Sequence, residues 1–142
     1  MHSSVIICLG DVARGDAGVS YRVAELLADT LPHGARLLTS PRLDVALADD
    51  LAEVDLVVFV LAHRREHPPV DVLPVEAEPH GEFGRPLAPG HLLDIAYALY
   101  ASRPRAWLVS VAAPETEPGA GLSETAEEAS LEAIPVIRRL LG

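Results

Sequence analysis

Short apolar runs alternate along this chain with stretches of helical spacing. Residues 5–9 and 56–61 are apolar throughout, as strands of a parallel sheet must be when helices cover both of its faces. Residues 35–39 and 106–111 read as further strands, and residues 70–75 as a strand at a sheet edge. The pattern therefore predicts about five strands.

Helical spacing of apolar side chains separates these strands. It predicts a helix over residues 17–31 and a short one over 43–51. A third helix is expected over residues 91–101, with Leu99 on its apolar face. The last helix should begin near Ser123, a residue type that favours the N-cap position. Strands alternating with helices indicate an α/β protein with a mostly parallel sheet between helical layers.

Length and charge narrow the classes of protein that the chain can represent. A chain of 142 residues fits a single domain, 1–142, with its own core. Its formal net charge is −10, from 21 acidic and 11 basic residues. Such a field repels a phosphate backbone, which disfavours nucleic-acid binding. No apolar run is long enough to cross a membrane, and the amino terminus lacks the signal-peptide pattern, so we expect a cytoplasmic protein.

The single cysteine, Cys8, lies inside the first predicted strand. One cysteine excludes an intrachain disulfide. Free cysteine favours protein cores, so we expect a buried structural thiol here rather than a nucleophile.

Parallel α/β sheets bind ligands at the carboxyl ends of their strands. Function is therefore expected in the loops at residues 10–18 and 62–67 and at the approach to His91. The first loop contains glycines that could approach a phosphate, but it lacks the lysine of a Walker motif, and Asp11 and Asp16 would oppose phosphate charge. A structural alternative for Asp16 is the N-cap of the first helix.

Residues 76–89 separate the edge strand from the third helix and are rich in proline, glycine, histidine and glutamate. A loop of this length inside a compact domain is unusual. Two interpretations stay open for it, a functional flap and a disordered insertion.

Three motifs follow one another along the chain. The loop after the first strand contains Gly10, Gly15, Asp16 and Gly18, His91 stands at the start of a predicted helix, and residues 109–123 run from a strand through P-E-x-x-E-P to G-L-S before the last helix. These motifs resemble those of the hydrogenase maturation endopeptidases. The loop is similar to the family's opening motif, His91 to the histidine of its H-x-L-x-L motif, and residues 109–123 to the strand, P-E-x-x-E-P and G-L-[ST] run before its last helix. The resemblance spans essentially the whole chain.

This resemblance implies both a fold and a function. The fold is a three-layer α/β sandwich of the phosphorylase/hydrolase-like kind, with a mostly parallel sheet of about five strands flanked by helices. Members of the family recognise nickel already delivered to a hydrogenase large subunit and remove a carboxy-terminal peptide from it. The implied partner is thus the hydrogenase large subunit, and the implied metal is nickel borne by this substrate, with no cofactor of the protein's own.

The family binds nickel through two carboxylates and one histidine, and this chain departs from that pattern. Ala17 and Leu61 stand at the two carboxylate positions, and only His91 aligns with a ligand. A relocated site can be formed from Asp16, His63 and His91, with Asp16 also as the catalytic residue. His63 lies two residues past Leu61 and shares its face if the strand continues that far.

Three functional hypotheses follow. In the first, the chain is a diverged but working endopeptidase, and therefore a hydrolase, with an altered metal site. In the second, it is a non-catalytic relative, a pseudoenzyme that serves as a binding scaffold or chaperone in hydrogenase assembly. In the third, it shares only the architecture and has an unrelated small-molecule function, because a fold does not determine a function.

Overall fold

The computed structural model describes residues 3–10, 15–81, 86–115, 119 and 121–142. Five strands form one sheet: β1 (Ser4–Leu9), β2 (Ala35–Ser40), β3 (Leu56–His63), β4 (Val70–Pro74) and β5 (Arg105–Ala112). Their spatial order is β2-β1-β3-β5-β4. All neighbours are parallel except β4, which pairs antiparallel with β5 at one edge. The predicted α/β class with a mostly parallel sheet of about five strands is confirmed.

Three α-helices accompany the strands: α1 (Val19–Leu27), α2 (Pro89–Tyr100) and α3 (Glu124–Leu141). The predicted helix over residues 17–31 is α1 with a 3₁₀ turn at each end, Gly15–Gly18 and Ala28–Thr30. The segment predicted as a short helix over 43–51 is a 3₁₀ helix, Val45–Leu51. Ser123 caps α3 as expected, because its side chain accepts a hydrogen bond from the Ala126 N–H at 3.1 Å.

The sheet separates two hydrophobic layers, because successive side chains of a strand point to opposite faces. Ile6 and Val58 pack in the layer with the buried residues of α1 and α3. Ile7 and Phe59, each one position further along, pack in the layer with α2 and the 3₁₀ helix. All four side chains are fully buried. Strands β1 and β3 are therefore covered on both faces.

The apolar face predicted for α2 ends sooner than its periodicity implies. Leu92 and Ala96 are fully buried, but Leu99 is 60% exposed, and so the prediction is wrong for that residue. Every residue from 97 to 100 is exposed. The last turn of α2 thus extends beyond the core that its first two turns cover. Among the described ranges, no helix combines the length and apolarity that a membrane span requires.

Residues 75–81, here called the strap, leave β4 and run along α2. The strap begins with a hydrogen bond from the Val75 N–H to the Ala106 carbonyl at 2.9 Å. Further on, the Glu78 N–H donates to the Gly90 carbonyl at 3.0 Å. A Cβ at Gly90 would lie only 2.5 Å from the Glu76 carbonyl oxygen, which is closer than real Cβ contacts. Glycine is therefore required where the strap meets the helix.

Replacing Gly90 by alanine should separate the strap from α2 and lower the free energy of unfolding by about 1–3 kcal/mol, as overpacking does elsewhere. Urea denaturation monitored by circular dichroism measures the change. Gly121→Ala is the matched control, because a Cβ at Gly121 meets nothing within 4 Å. Equal stabilities of the two variants would contradict the contact at Gly90.

Candidate functional site

The order of the strands reverses between β1 and β3. From β1 the chain crosses to β2 on one side and then returns to β3 on the other. In α/β sheets this reversal leaves a crevice at the carboxyl ends of the two strands, where ligands bind. At the base of the crevice, the buried hydroxyl of Ser20 in α1 donates a hydrogen bond to the Val60 carbonyl of β3 at 3.2 Å. The candidate site lies above this bond.

The loop after β1 contributes the Gly15–Gly18 turn to one side of the crevice. Helix α1 has Gly18 as its N-cap residue and no side-chain cap. The alternative that Asp16 caps this helix is therefore wrong, because the 3₁₀ turn moves the start of the α-helix further along the chain. Residues 11–14 and the side chains of Asp16 and Ala17 lie outside the described part of the chain, so the metal-binding and catalytic roles of Asp16 stay predictions.

Strand β3 extends through His63, as the relocated site requires. The His63 Nε2 lies 2.8 Å from the Pro68 carbonyl oxygen, which can only accept, so Nε2 is the protonated nitrogen. The Nδ1 lone pair is then left over, and this buried atom has no hydrogen-bond partner among the described residues. Leu61, at the family's carboxylate position, instead packs against the layer of α2.

His91 is the third residue of α2 and is engaged at both ring nitrogens. Its Nδ1 accepts a hydrogen bond from the Ala88 N–H at 3.0 Å, which satisfies a donor at the start of the helix. Its Nε2 lies 3.5 Å from the Glu78 carboxylate on the strap. Because Nδ1 accepts, the neutral ring carries its proton on Nε2. Coordination of a metal through either nitrogen therefore requires one of these two contacts to break.

The two predicted ligands whose side chains the structure describes, His63 and His91, have different contacts. His63 is bound to the loop after β3, whereas His91 is bound to the start of α2 and the strap. In residues 3–10, 15–81, 86–115 and 121–142, no three side chains of His, Cys, Asp or Glu converge to hold a metal ion. The site formed by Asp16, His63 and His91 stays a prediction.

A contact between His80 and Asp94 also attaches the strap to α2. The His80 Nδ1 lies 2.8 Å from Asp94 Oδ2, and the His80 backbone N–H donates to the same oxygen at 3.2 Å. The side-chain hydrogen bond from His80, followed by the backbone one, lowers the pKa of Asp94. No short-range pattern could have found this contact, because 14 positions separate the two residues.

Removal of the His80 imidazole should return the pKa of Asp94 towards its ordinary value. A carboxyl group whose pKa is lowered by folding adds stability above its unfolded pKa, and this stability is lost as the pH falls through the folded pKa. Carboxyl ¹³C NMR of His80→Ala should therefore show a higher pKa for Asp94 than wild type does. His33→Ala, at an exposed histidine, should leave that pKa unchanged, and an unchanged pKa in His80→Ala would refute the assignment.

Cys8 is fully buried in β1, as expected from the sequence. Desolvation by this burial raises the pKa of its thiol to about 12. The thiolate is the reactive form of cysteine, so it is scarcely populated near neutral pH. Cys8 is thus a core residue and does not contribute chemistry to the crevice.

A thiol reagent should consequently fail to label the native chain. At pH 8, 5,5′-dithiobis(2-nitrobenzoate) should react with Cys8 of the native chain only as fast as the chain opens. In 6 M guanidinium, one thiol per chain should react immediately. Absorbance of the released thionitrobenzoate measures both rates. Rapid stoichiometric labelling without denaturant would show that the thiol is accessible.

The fold and crevice define a class of protein: an α/β sandwich whose site lies where a mostly parallel sheet reverses its strand order. No family model and no curated protein matches the chain. Solved structures do match, and the fold is that of the hydrogenase maturation endopeptidases. The resemblance predicted from the motifs is confirmed at the level of the fold.

Three of these solved structures illustrate the similarity. The NiFe hydrogenase maturation protease HybD from Thermococcus kodakarensis has a TM-score of 0.74 and 17% identity, with 99% of each chain covered. The hydrogenase 2 maturation peptidase from Thaumarchaeota archaeon SCGC_AB-539-E09 has a TM-score of 0.72 and 23% identity, covering 99% of this chain and 98% of that one. HybD from E. coli, a hydrogenase maturating endopeptidase, has a TM-score of 0.69 and 22% identity, covering 95% of this chain and 89% of that one.

Proposed function

We propose that this protein acts in hydrogenase maturation, where it recognises the nickel-loaded large subunit of a hydrogenase and cleaves its carboxy-terminal peptide. One observation carries the proposal. The chain combines the fold of the hydrogenase maturation endopeptidases with three motifs that resemble theirs, which lie after β1, at the start of α2 and between β5 and α3. A shared fold alone does not determine function, and it is the motifs that support this function beyond the fold.

For this cleavage the protein must supply electron-pair donors to a metal ion that the substrate carries. The nickel ion would polarise the scissile carbonyl or activate a water molecule. His63 offers a buried Nδ1 lone pair that has no partner among the described residues. His91 offers an imidazole that is one-quarter exposed and can exchange its contact with Glu78 for a ligand. Asp16 would supply a carboxylate, the role that Ala17 and Leu61 cannot fill.

A second candidate function is binding without cleavage, as a scaffold or chaperone in hydrogenase assembly. Leu61 favours it, because this side chain is half-buried against the layer of α2 at the position where the family has a carboxylate. An aliphatic side chain cannot coordinate a cation. In this case the crevice would hold the large subunit but leave its peptide intact.

Incubation with a nickel-loaded large-subunit precursor from the same organism tests the proposal. We expect loss of the carboxy-terminal peptide by mass spectrometry, and a fall in kcat/KM of at least about 100-fold in His91→Ala, as expected for loss of a metal-contacting group. His33→Ala is the control, an exposed histidine away from the crevice. Formation of a stable complex without cleavage would favour the scaffold function. Absence of both complex formation and cleavage would contradict the peptidase and the scaffold functions alike.

Nickel titration of the isolated protein tests the three assigned ligands without a substrate. Calorimetry on wild type, Asp16→Ala, His63→Ala and His91→Ala should show weaker binding in each variant if the three side chains act together. Unchanged binding in all three variants would refute this ligand set. Thermal unfolding of each variant must first show that it is folded.

A further inference from the structure

Glu78 on the strap brings a carboxylate to the imidazole of His91. Its backbone N–H donates to the Gly90 carbonyl at 3.0 Å. Its Cγ lies 3.0 Å from the position that a Cβ on Gly90 would occupy, so the side chain lies directly against the helix backbone. Its Oε2 then reaches to 3.5 Å from the His91 Nε2. Because Gly90 has no side chain, Glu78 can cross the start of α2 and meet the histidine.

The two contacts between a histidine and a carboxylate that join the strap to α2 differ in length. The His80 Nδ1 lies 2.8 Å from Asp94 Oδ2, which is the length of a hydrogen bond, and the His80 backbone N–H donates to the same oxygen. The 3.5 Å between His91 and Glu78 is longer than the usual range of about 2.7–3.2 Å for an N–H···O bond. The second pair is therefore not closed by a good hydrogen bond.

This longer separation matches the distance between two ligands of one metal ion. Bonds from a first-row ion such as Zn²⁺ to an imidazole nitrogen or a carboxylate oxygen are about 2.1 Å long, and at a tetrahedral angle they place the two donor atoms about 3.4 Å apart. Imidazole and carboxylate are both accepted ligands of such ions, nickel included. Glu78 and His91 can thus bind one ion with little movement of either side chain.

Coordination through His91 has a cost that the structure identifies. The neutral ring carries its proton on Nε2, because Nδ1 accepts from the Ala88 N–H. When a metal ion takes the Nε2 lone pair, this proton must move to Nδ1, and the hydrogen bond from Ala88 is lost. One neutral hydrogen bond is then exchanged for a metal–nitrogen bond.

We propose that Glu78 is a metal ligand, which together with His91 takes two coordination positions of the nickel ion that the substrate carries. The inference rests on the proposed function for the identity of the ion. Glu78 supplies from the strap a carboxylate that Ala17 and Leu61 cannot supply from the loops of the crevice. Two donors suffice for an ion that the substrate already holds. The segment after β4 thereby gains a role in binding, in line with a functional flap.

Nickel chloride alone, titrated into the full chain by calorimetry, is the probe. Glu78→Gln keeps the shape of the side chain but removes the carboxylate, and it should bind nickel at least about tenfold more weakly than wild type. Glu76→Gln is the matched control, because it removes a carboxylate of the same strap that takes part in neither histidine contact. Glu78→His restores a donor and should regain most of the affinity, which a purely structural role of the carboxylate would not allow.

Paramagnetic Ni²⁺ locates the ion without a substrate. In the ¹⁵N-labelled chain, nickel should broaden the amide signals of residues 78 and 91 strongly in wild type and in Glu76→Gln, and much less in Glu78→Gln at the same nickel concentration. Thermal unfolding establishes that each variant is folded. If Glu78→Gln does not fold, Glu78→Asp, which withdraws the carboxylate by one methylene group, provides the same comparison.

Three results would overturn the proposal: equal nickel affinity of Glu78→Gln and wild type, equal losses in Glu78→Gln and Glu76→Gln, and no binding of nickel by wild type. Tighter binding by Glu78→Gln would overturn it as well, by showing that the carboxylate competes with the ion for His91. Failure of the proposed function gives a different result. A nickel-loaded precursor that stays intact, while Glu78→Gln still weakens nickel binding, would contradict the peptidase function and leave this pair of ligands in place.

Discussion

Burial of β1 and β3 on both faces is the constraint from which the rest of the architecture follows. The side chains of β1 and of residues 56–60 in β3 are buried on alternate sides, so helices must cover the sheet above and below. Covering both faces of a parallel sheet requires the chain to cross from one side of β1 to the other. That crossing produces the reversal in strand order, and with it the crevice. The location of the site is thus a result of how the core is buried.

Much of the fold could be predicted because this burial is visible in the sequence. The uninterrupted apolar runs at 5–9 and 56–61 correspond to β1 and β3 within two residues at each end. Periodicity assigned the correct faces to the helices, but it does not show where the core stops, and so it misplaced Leu99. It also cannot distinguish an α-helix from a 3₁₀ helix in a segment as short as Val45–Leu51.

The site was predicted less completely, because its contacts join residues that no local pattern connects. The strands and motifs did predict that His91 lies at the start of α2, and the relocated site required β3 to reach His63. The bond between His91 and Ala88 had a signal that was overlooked, since a side chain three residues after an N-cap commonly returns to the backbone there. The approach of Glu76 to Gly90 had no such signal in the sequence, because it depends on the path of the strap.

The antiparallel strand β4 has a consequence for how the protein behaves at high concentration. Its register places Pro69 opposite Ala112 and Val75 opposite Ala106, so alternate residues bond to β5. Only Val70 and Val72 are left to direct amide hydrogens outwards, since Pro74 has none. An edge with so few donors is a poor template for addition of another strand. Pro74, which takes one outward donor from the strand, therefore helps to protect this border of the sheet against aggregation.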